Sequence, residues 1–167
     1  MTNSIAVVQS ADSESVQRPF TAVATDLQAE GIGVAGVIAE AHGLPDRSCS
    51  AGLLRDLRSD ERFSIYLDTQ PANTSCHLDA KGVEAACAAV LADLQNCKLV
   101  VLSKFGKLEA AQGGLFPAFK TAIATGTPVL TTVSSKHLAA WKSFAPDVDY
   151  LDATQADIRQ WWLSVAS

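Results

Sequence analysis

The segment Ser103-Lys104-Phe105-Gly106-Lys107-Leu108-Glu109 follows the apolar run Leu99 to Leu102 and sets two lysines three residues apart, around a glycine. A lysine is a compact point charge on a flexible stem, suited to phosphate or another oxyanion. In open α/β sheets, ligands bind beyond the carboxyl ends of the strands. Lys104 and Lys107 at such an end would place positive charge over the ligand edge, with Ser103 and Gly106 beside them and Phe105 anchoring the loop. The competing reading is an exposed turn with solvated lysines, and the segment alone does not separate the two. Glu109 pairs with Lys104, with Lys107 or with neither.

A second candidate is Gln9-Ser10-Ala11-Asp12-Ser13-Glu14-Ser15, between a predicted strand and a predicted helix. A P-loop in this place needs G-x-x-x-x-G-K-[S/T], with glycines for close backbone approach and a lysine for the phosphates. Neither glycine nor lysine is present. Gln9, Ser10, Ser13 and Ser15 remain, with backbone N–H groups at a helix N-terminus that can seat an anion. Asp12 and Glu14 oppose an anion there, and a solvated loop that merely caps the helix explains the same residues.

Cys49, Cys76, Cys87 and Cys97 show no C-x-x-C spacing, so free thiols are expected, with Cys87 a small core residue. Cys76 and His77, adjacent in a polar stretch, are the weak candidates for a metal or redox element, since a nearby imidazolium favours the thiolate. His42, His77 and His137 are too scattered to define a metal centre, and no H-E-x-x-H motif or G-x-S-x-G elbow supports zinc or serine chemistry.

These residues must be carried by one domain. The 167 residues are 48% hydrophobic and 19% charged, which excludes disorder and allows a real core. Thirteen basic residues against 18 acidic ones give a net charge of −5, which argues against broad binding to nucleic acid or an anionic membrane. The first residues lack the basic region of a secretory signal, and no apolar run approaches the ~20 residues that span a bilayer. A cytoplasmic location and no membrane insertion are therefore expected.

Four short apolar runs, Ile5 to Val8, Gly33 to Ile38, Leu99 to Leu102 and Pro128 to Val133, read as strands covered on both faces. Helical spacing connects Val16, Phe20, Val23 and Leu27, and again Val83, Cys87, Val90, Leu91 and Leu94. Further helices are predicted over Leu115 to Ile123, closing at Gly126, over Lys136 to Phe144 with Ser134 or Ser135 as cap, and over Ala153 to Val165 with Asp152 and Gln155 as a capping box. The charged stretch at about 40–76 reads as a β-ribbon or edge-strand insertion. The order β-α-β, insertion, α-β-α-β-α predicts a single α/β domain over 1–167, a three-layer sandwich with a mainly parallel sheet. Trp141, Trp161 and Trp162 are expected to serve core and oligomer packing.

Val100 to Leu115, VVLSKFGKLEAAQGGL, resembles the signature of domain of unknown function family 2478, in which a strand is followed by N-K-F-G-K-x-E and a glycine-containing stretch. GIGVAGVI at 31–38, SCHLD at 75–79, GTPVLTTV at 126–133 and the W-x-x-F element at 141–144 extend the resemblance in order along nearly the whole chain. Ser103 departs from the usual Asn. The family is distantly similar to P-loop nucleoside-triphosphatases, whose corresponding strand ends in D-E-x-G-K-x-E. Ser103 and Lys104 occupy the two acidic positions here, while Gly106, Lys107 and Glu109 match. A Walker-B acid holds Mg²⁺, and a lysine in its place removes that anchor. The resemblance thus implies a degenerate, non-hydrolytic scaffold, and its usual gene context implies molybdenum. The function expected is binding of a small anionic ligand, with molybdate or another oxyanion first. A nucleotide-dependent phosphohydrolase and a homo-oligomeric storage or interaction module are the alternatives.

Overall fold

The computed structural model describes residues 4–9, 14–41, 51–64, 80–133 and 135–166. In chain order the elements are β1 (Ile5–Gln9), α1 (Glu14–Ala29), β2 (Val34–Ala41), β3 (Ala51–Asp56), β4 (Arg62–Ser64), α2 (Ala80–Asp93), β5 (Leu99–Phe105), α3 (Lys107–Ala110), α4 (Phe116–Thr125), β6 (Val129–Val133), α5 (Leu138–Phe144), β7 (Asp149–Asp152) and α6 (Gln155–Ala166). They build one seven-stranded sheet in the order β4-β3-β2-β5-β6-β1-β7. β2, β5, β6, β1 and β7 run parallel, and β3 and β4 are antiparallel additions beyond β2.

The continuous apolar runs have a direct cause, because successive side chains of a strand enter different cores. Ile5, Val7, Val100, Leu102 and Val129 pack with Val83, Cys87, Val90 and Phe119 from α2 and α4 on one face. Ala6, Val8, Leu99, Val101 and Leu130 pack with Val16, Phe20, Val23 and Leu27 of α1 and with Ile158 and Trp161 of α6 on the other. The result is a three-layer α/β sandwich. Gly36 (φ +124°) is required at its centre, because a Cβ there would overlap the backbone of Val101 on β5 and force β2 and β5 apart.

The charged run in the antiparallel additions resolves into cross-strand pairs. Glu40 on β2 accepts from Arg62 on β4 at 3.0 Å and lies 3.5 Å from Arg55 on β3, whose guanidinium also meets Asp60 at 2.9 Å. Asp56 is buried, and its Oδ1 accepts the N–H groups of Arg58 and Ser59 at 2.9 and 3.0 Å to start the turn into β4.

Two expectations are corrected at the C-terminal end. A seventh strand, β7, precedes the last helix; its four residues, with burial alternating along them, gave too short a period to read. The cap of α6 is Thr154, whose Oγ1 accepts the Asp157 N–H at 3.1 Å, while Gln155 donates to Asp26 on α1 at 2.7 Å instead of closing a box with Asp152. Arg159 also reaches α1, donating to both carboxylate oxygens of Glu30 at 2.8 and 2.7 Å. That pair is about a third to a half exposed, so Glu30→Ala is expected to cost no more than about 1 kcal/mol in urea unfolding.

Trp141, Trp161 and Trp162 are 0%, 4% and 5% exposed. They fill the chain's own cores, as the packing role expected of them requires. No helix among the described residues is long and apolar enough to cross a membrane.

Candidate functional site

Five parallel strands deliver their carboxyl ends, Ala41, Phe105, Val133, Gln9 and Asp152, to one edge of the sheet. β5 is the central strand of the seven and does not end as the sequence suggests. The strand continues past Leu102 to Phe105, and its register with β6 shifts, Leu102 pairing with Thr131 but Phe105 with Val133. Three steps on β5 match two on β6, so one extra residue is accommodated at Ser103-Lys104. Such a bulge changes the parity of every later side chain. Regular alternation would send Phe105 to the α1 side with Leu99 and Val101; the bulge sends it to the α4 side, with Val100 and Leu102.

The bulge and its anchor explain the exposure of Lys104. Phe105 is 1% exposed and packs edge-on against Phe119 and Trp141, with ring centroids at 5.5 and 5.1 Å, and stacks with Phe144 at 6.1 Å. Ser103 is buried on the strand before it. Lys104, between these two fixed neighbours, is exposed, and its aliphatic stem lies over Gly106, where a Cβ would meet Lys104 Cε at 3.5 Å.

Beyond β5 the chain forms a short helix and a pinned loop in place of an open turn. Lys107 opens α3 and is exposed. Glu109 pairs with neither lysine: it is 6% exposed, its Oε1 accepts the Gly106 N–H at 2.9 Å, and its Oε2 accepts the Leu115 N–H at 2.8 Å. One carboxylate thus clamps both ends of the segment 106–115. Burial pushes the Glu109 carboxyl above its ordinary value, against the opposing pull of the two backbone donors and the Lys104 charge. Gly114 (φ +57°) completes the fit, since a Cβ there would collide with Glu109 Oε2. A glycine followed three residues later by Glu is a capping spacing, and this signal could have located Glu109 in advance.

The neighbouring strand ends add further groups. A 3₁₀ turn, Ser135–His137, follows the carboxyl end of β6 and carries exposed Lys136, a cation that the sequence reading missed because it sits outside the motif. Gln9 ends β1, exposed, paired in register with Asp152 of β7. Thr132 on β6 ties the strands together, donating to the Val8 carbonyl at 2.8 Å. Strands lie ~4.8 Å apart, so β5 and β1, with β6 between them, are about 10 Å apart.

Ser10, Ser13, Cys76 and His77 lie outside the described residues, as does Ser134; Ser15 belongs to α1. Among the described residues no group of three or more His, Cys, Asp or Glu side chains is arranged to hold a metal ion. The exposed charged side chains at or directly after the carboxyl ends of β5 and β6 are those of Lys104, Lys107 and Lys136.

Comparison with known proteins gives three findings. The family model described as Protein of unknown function (DUF2478) matches residues 5–161. The chain is 34% identical over 148 residues to the molybdenum import ATP-binding protein ModC 2 of Bradyrhizobium diazoefficiens; the match covers 86% of this chain but 16% of that protein. Among solved structures, the solution structure of a human cancer-related nucleoside triphosphatase superposes with a TM-score of 0.65 at 16% identity, covering 99% of this chain and 96% of the other. That likeness establishes the fold, a nucleoside-triphosphatase-like α/β sandwich.

Proposed function

This chain belongs to the family of Protein of unknown function (DUF2478), and from that premise we propose that it binds a small oxyanion, with molybdate the first candidate, on a scaffold that does not hydrolyse nucleotide by the Walker mechanism. The observation that carries the reading is the bulge at Ser103-Lys104. It aims a cation at the carboxyl edge of the sheet, where a hydrolytic relative would use an acid to hold Mg²⁺. Lys104 and Lys107 supply charge, Ser103 and the Gln9, Ser10, Ser13 and Ser15 segment supply hydrogen bonds, and Gly106, whose N–H is held by Glu109, shapes the turn between the lysines. The relative named for molybdenum import supports the choice of ion. Since the match spans only 16% of that relative, the segment reads as an accessory unit, acting in the cytoplasm beside a transport ATPase rather than as that ATPase.

Calorimetric titration with molybdate, tungstate, sulfate, phosphate and ATP tests this. Molybdate or tungstate is expected to bind, and Lys104→Ala/Lys107→Ala to weaken binding at least about tenfold while leaving stability within ~0.5 kcal/mol, as both residues are exposed and outside the cores. Absence of heat with all five ligands, or equal binding by the double variant, overturns the proposal. Magnesium-dependent phosphate release from ATP would favour the hydrolase instead.

A further inference from the structure

Lys104 and Glu109 approach one another across Gly106. A Cβ placed at Gly106 would lie 3.5 Å from Lys104 Cε and 3.7 Å from Glu109 Oε1, which holds that end of the lysine within about 7 Å of the carboxylate. Gly106 has no side chain to stand between them. The two groups differ in setting: Lys104 is exposed and open to an ion, whereas Glu109 is 6% exposed, where salt and water screen little. Other titratable groups around Glu109 are few. β5 supplies Lys104, α4 carries only the exposed Lys120, and α2 brings Cys87, on which the Glu109 charge acts, with exposed Glu84 one turn before it. Burial pushes the Cys87 thiol up, so it stays neutral where a carboxyl titrates. Lys107, on α3 itself, is exposed. Lys104 is the charge that acts on the Glu109 carboxyl, and it opposes the upward push of burial.

We propose, on the reading of Lys104 as the oxyanion seat, that the site takes up its ion together with a proton held by Glu109. A bound dianion cancels the lysine charge that favours the ionised carboxyl, so the carboxylate draws a proton from solvent; no bond of the anion breaks. Each Glu109 oxygen spends one of its two lone pairs on a backbone N–H, that of Gly106 or of Leu115, so either oxygen can be protonated while both hydrogen bonds stand. The loop 106–115 stays clamped, and only its charge changes. Reciprocity fixes the direction: an anion that raises the proton affinity of Glu109 binds more tightly once Glu109 is protonated. Anion affinity therefore rises as pH falls through the Glu109 midpoint and levels off above it. A charge pair at this separation in a partly wet site corresponds to a change of about fivefold.

Calorimetric titration of the full chain with molybdate at about pH 5 and about pH 8 tests this, at ~0.15 M ionic strength, where the effect of net charge is largely screened. Affinity is expected to be about fivefold higher at the lower pH, and to change less than about twofold in Glu109→Gln, which takes up no proton there. A second measurement reads the proton itself. The side-chain carboxyl ¹³C resonance of Glu109, assigned by its loss in Glu109→Gln, should titrate at higher pH when molybdate saturates the wild-type chain, by the same factor in proton affinity. Molybdate binding of equal strength at the two pH values, a pH dependence retained in Glu109→Gln and so owed to another group such as His137, or a Glu109 titration unmoved by bound molybdate would each overturn the coupling and leave the seat at Lys104 standing. Absence of molybdate binding at both pH values would overturn the seat and the coupling together.

Discussion

A Phe105→Ala chain is expected to lose about 3–5 kcal/mol of stability, the usual cost of emptying a fully buried aromatic position. Phe105 meets Phe119 of α4 and both Trp141 and Phe144 of α5 through ring contacts at 5.1–6.1 Å. Phe119, Trp141 and Phe144 also touch one another or Phe116, so the cluster is a closed set that cannot collapse onto a vacancy without separating its other pairs. Domains of this kind hold only about 5–15 kcal/mol in total, so the loss is a large fraction of what exists. Urea unfolding measures it directly, and Phe105→Leu, which keeps most of the volume, should lose less than half as much. A cost below ~1 kcal/mol for the alanine variant would show that the cluster is not the anchor of β5. Because Phe105 also fixes the parity of the bulge, the fraction of Phe105→Ala that remains folded should bind molybdate more weakly than wild type, although the ring touches no ligand.

How much of this was legible in the sequence depends on the range over which each signal acts. The four strands and the two-sided burial were readable because runs such as Val100-Val101-Leu102 contain no polar residue to face water, and Val16, Phe20, Val23 and Leu27 on α1 are all buried as their spacing predicts. Gly126 closes α4 with φ +73°, as a glycine before a proline suggests. The bulge was not readable. Parity along β5 is set by its register against β6, a long-range pairing that no local pattern records, and by the demand of the α4–α5 side for an aromatic ring. Glu109 was legible only through its capping spacing from Gly106: a charged residue beside two lysines suggests an ion pair, while its actual partners are backbone N–H groups 3 and 6 residues away. The lysines themselves fall at the edge their spacing predicts, since a cation at the end of a buried strand has nowhere else to go.

Replacing Glu109 by alanine is expected to cost about 2–4 kcal/mol, because the Gly106 and Leu115 N–H groups it satisfies would be left as buried donors, each worth ~1–3 kcal/mol when unpaired. Glu109→Gln should cost less, since its amide oxygen still accepts one N–H, but its NH₂ group then faces the other donor. The pH dependence separates this role from packing alone. The folded carboxyl titrates above its unfolded value, so the native state holds its proton more tightly, and the stabilisation linked to protonation is fully present below the unfolded value. It is lost as pH rises through the folded one. The stability of wild type minus that of Glu109→Gln should therefore be greatest near about pH 4, fall as pH rises through the window above the ordinary carboxylate value, and level off once Glu109 is fully ionised. Lys104→Ala removes a charge that lowers this carboxyl, so it should move the window upward, whereas Lys136→Ala, which does not act on it, should leave the window in place. A difference that grows as pH rises would mean that the hydrogen bonds outweigh burial. In that case Glu109 would hold the loop as a permanently ionised clamp, and an anion bound at Lys104 would have no protonation to couple to.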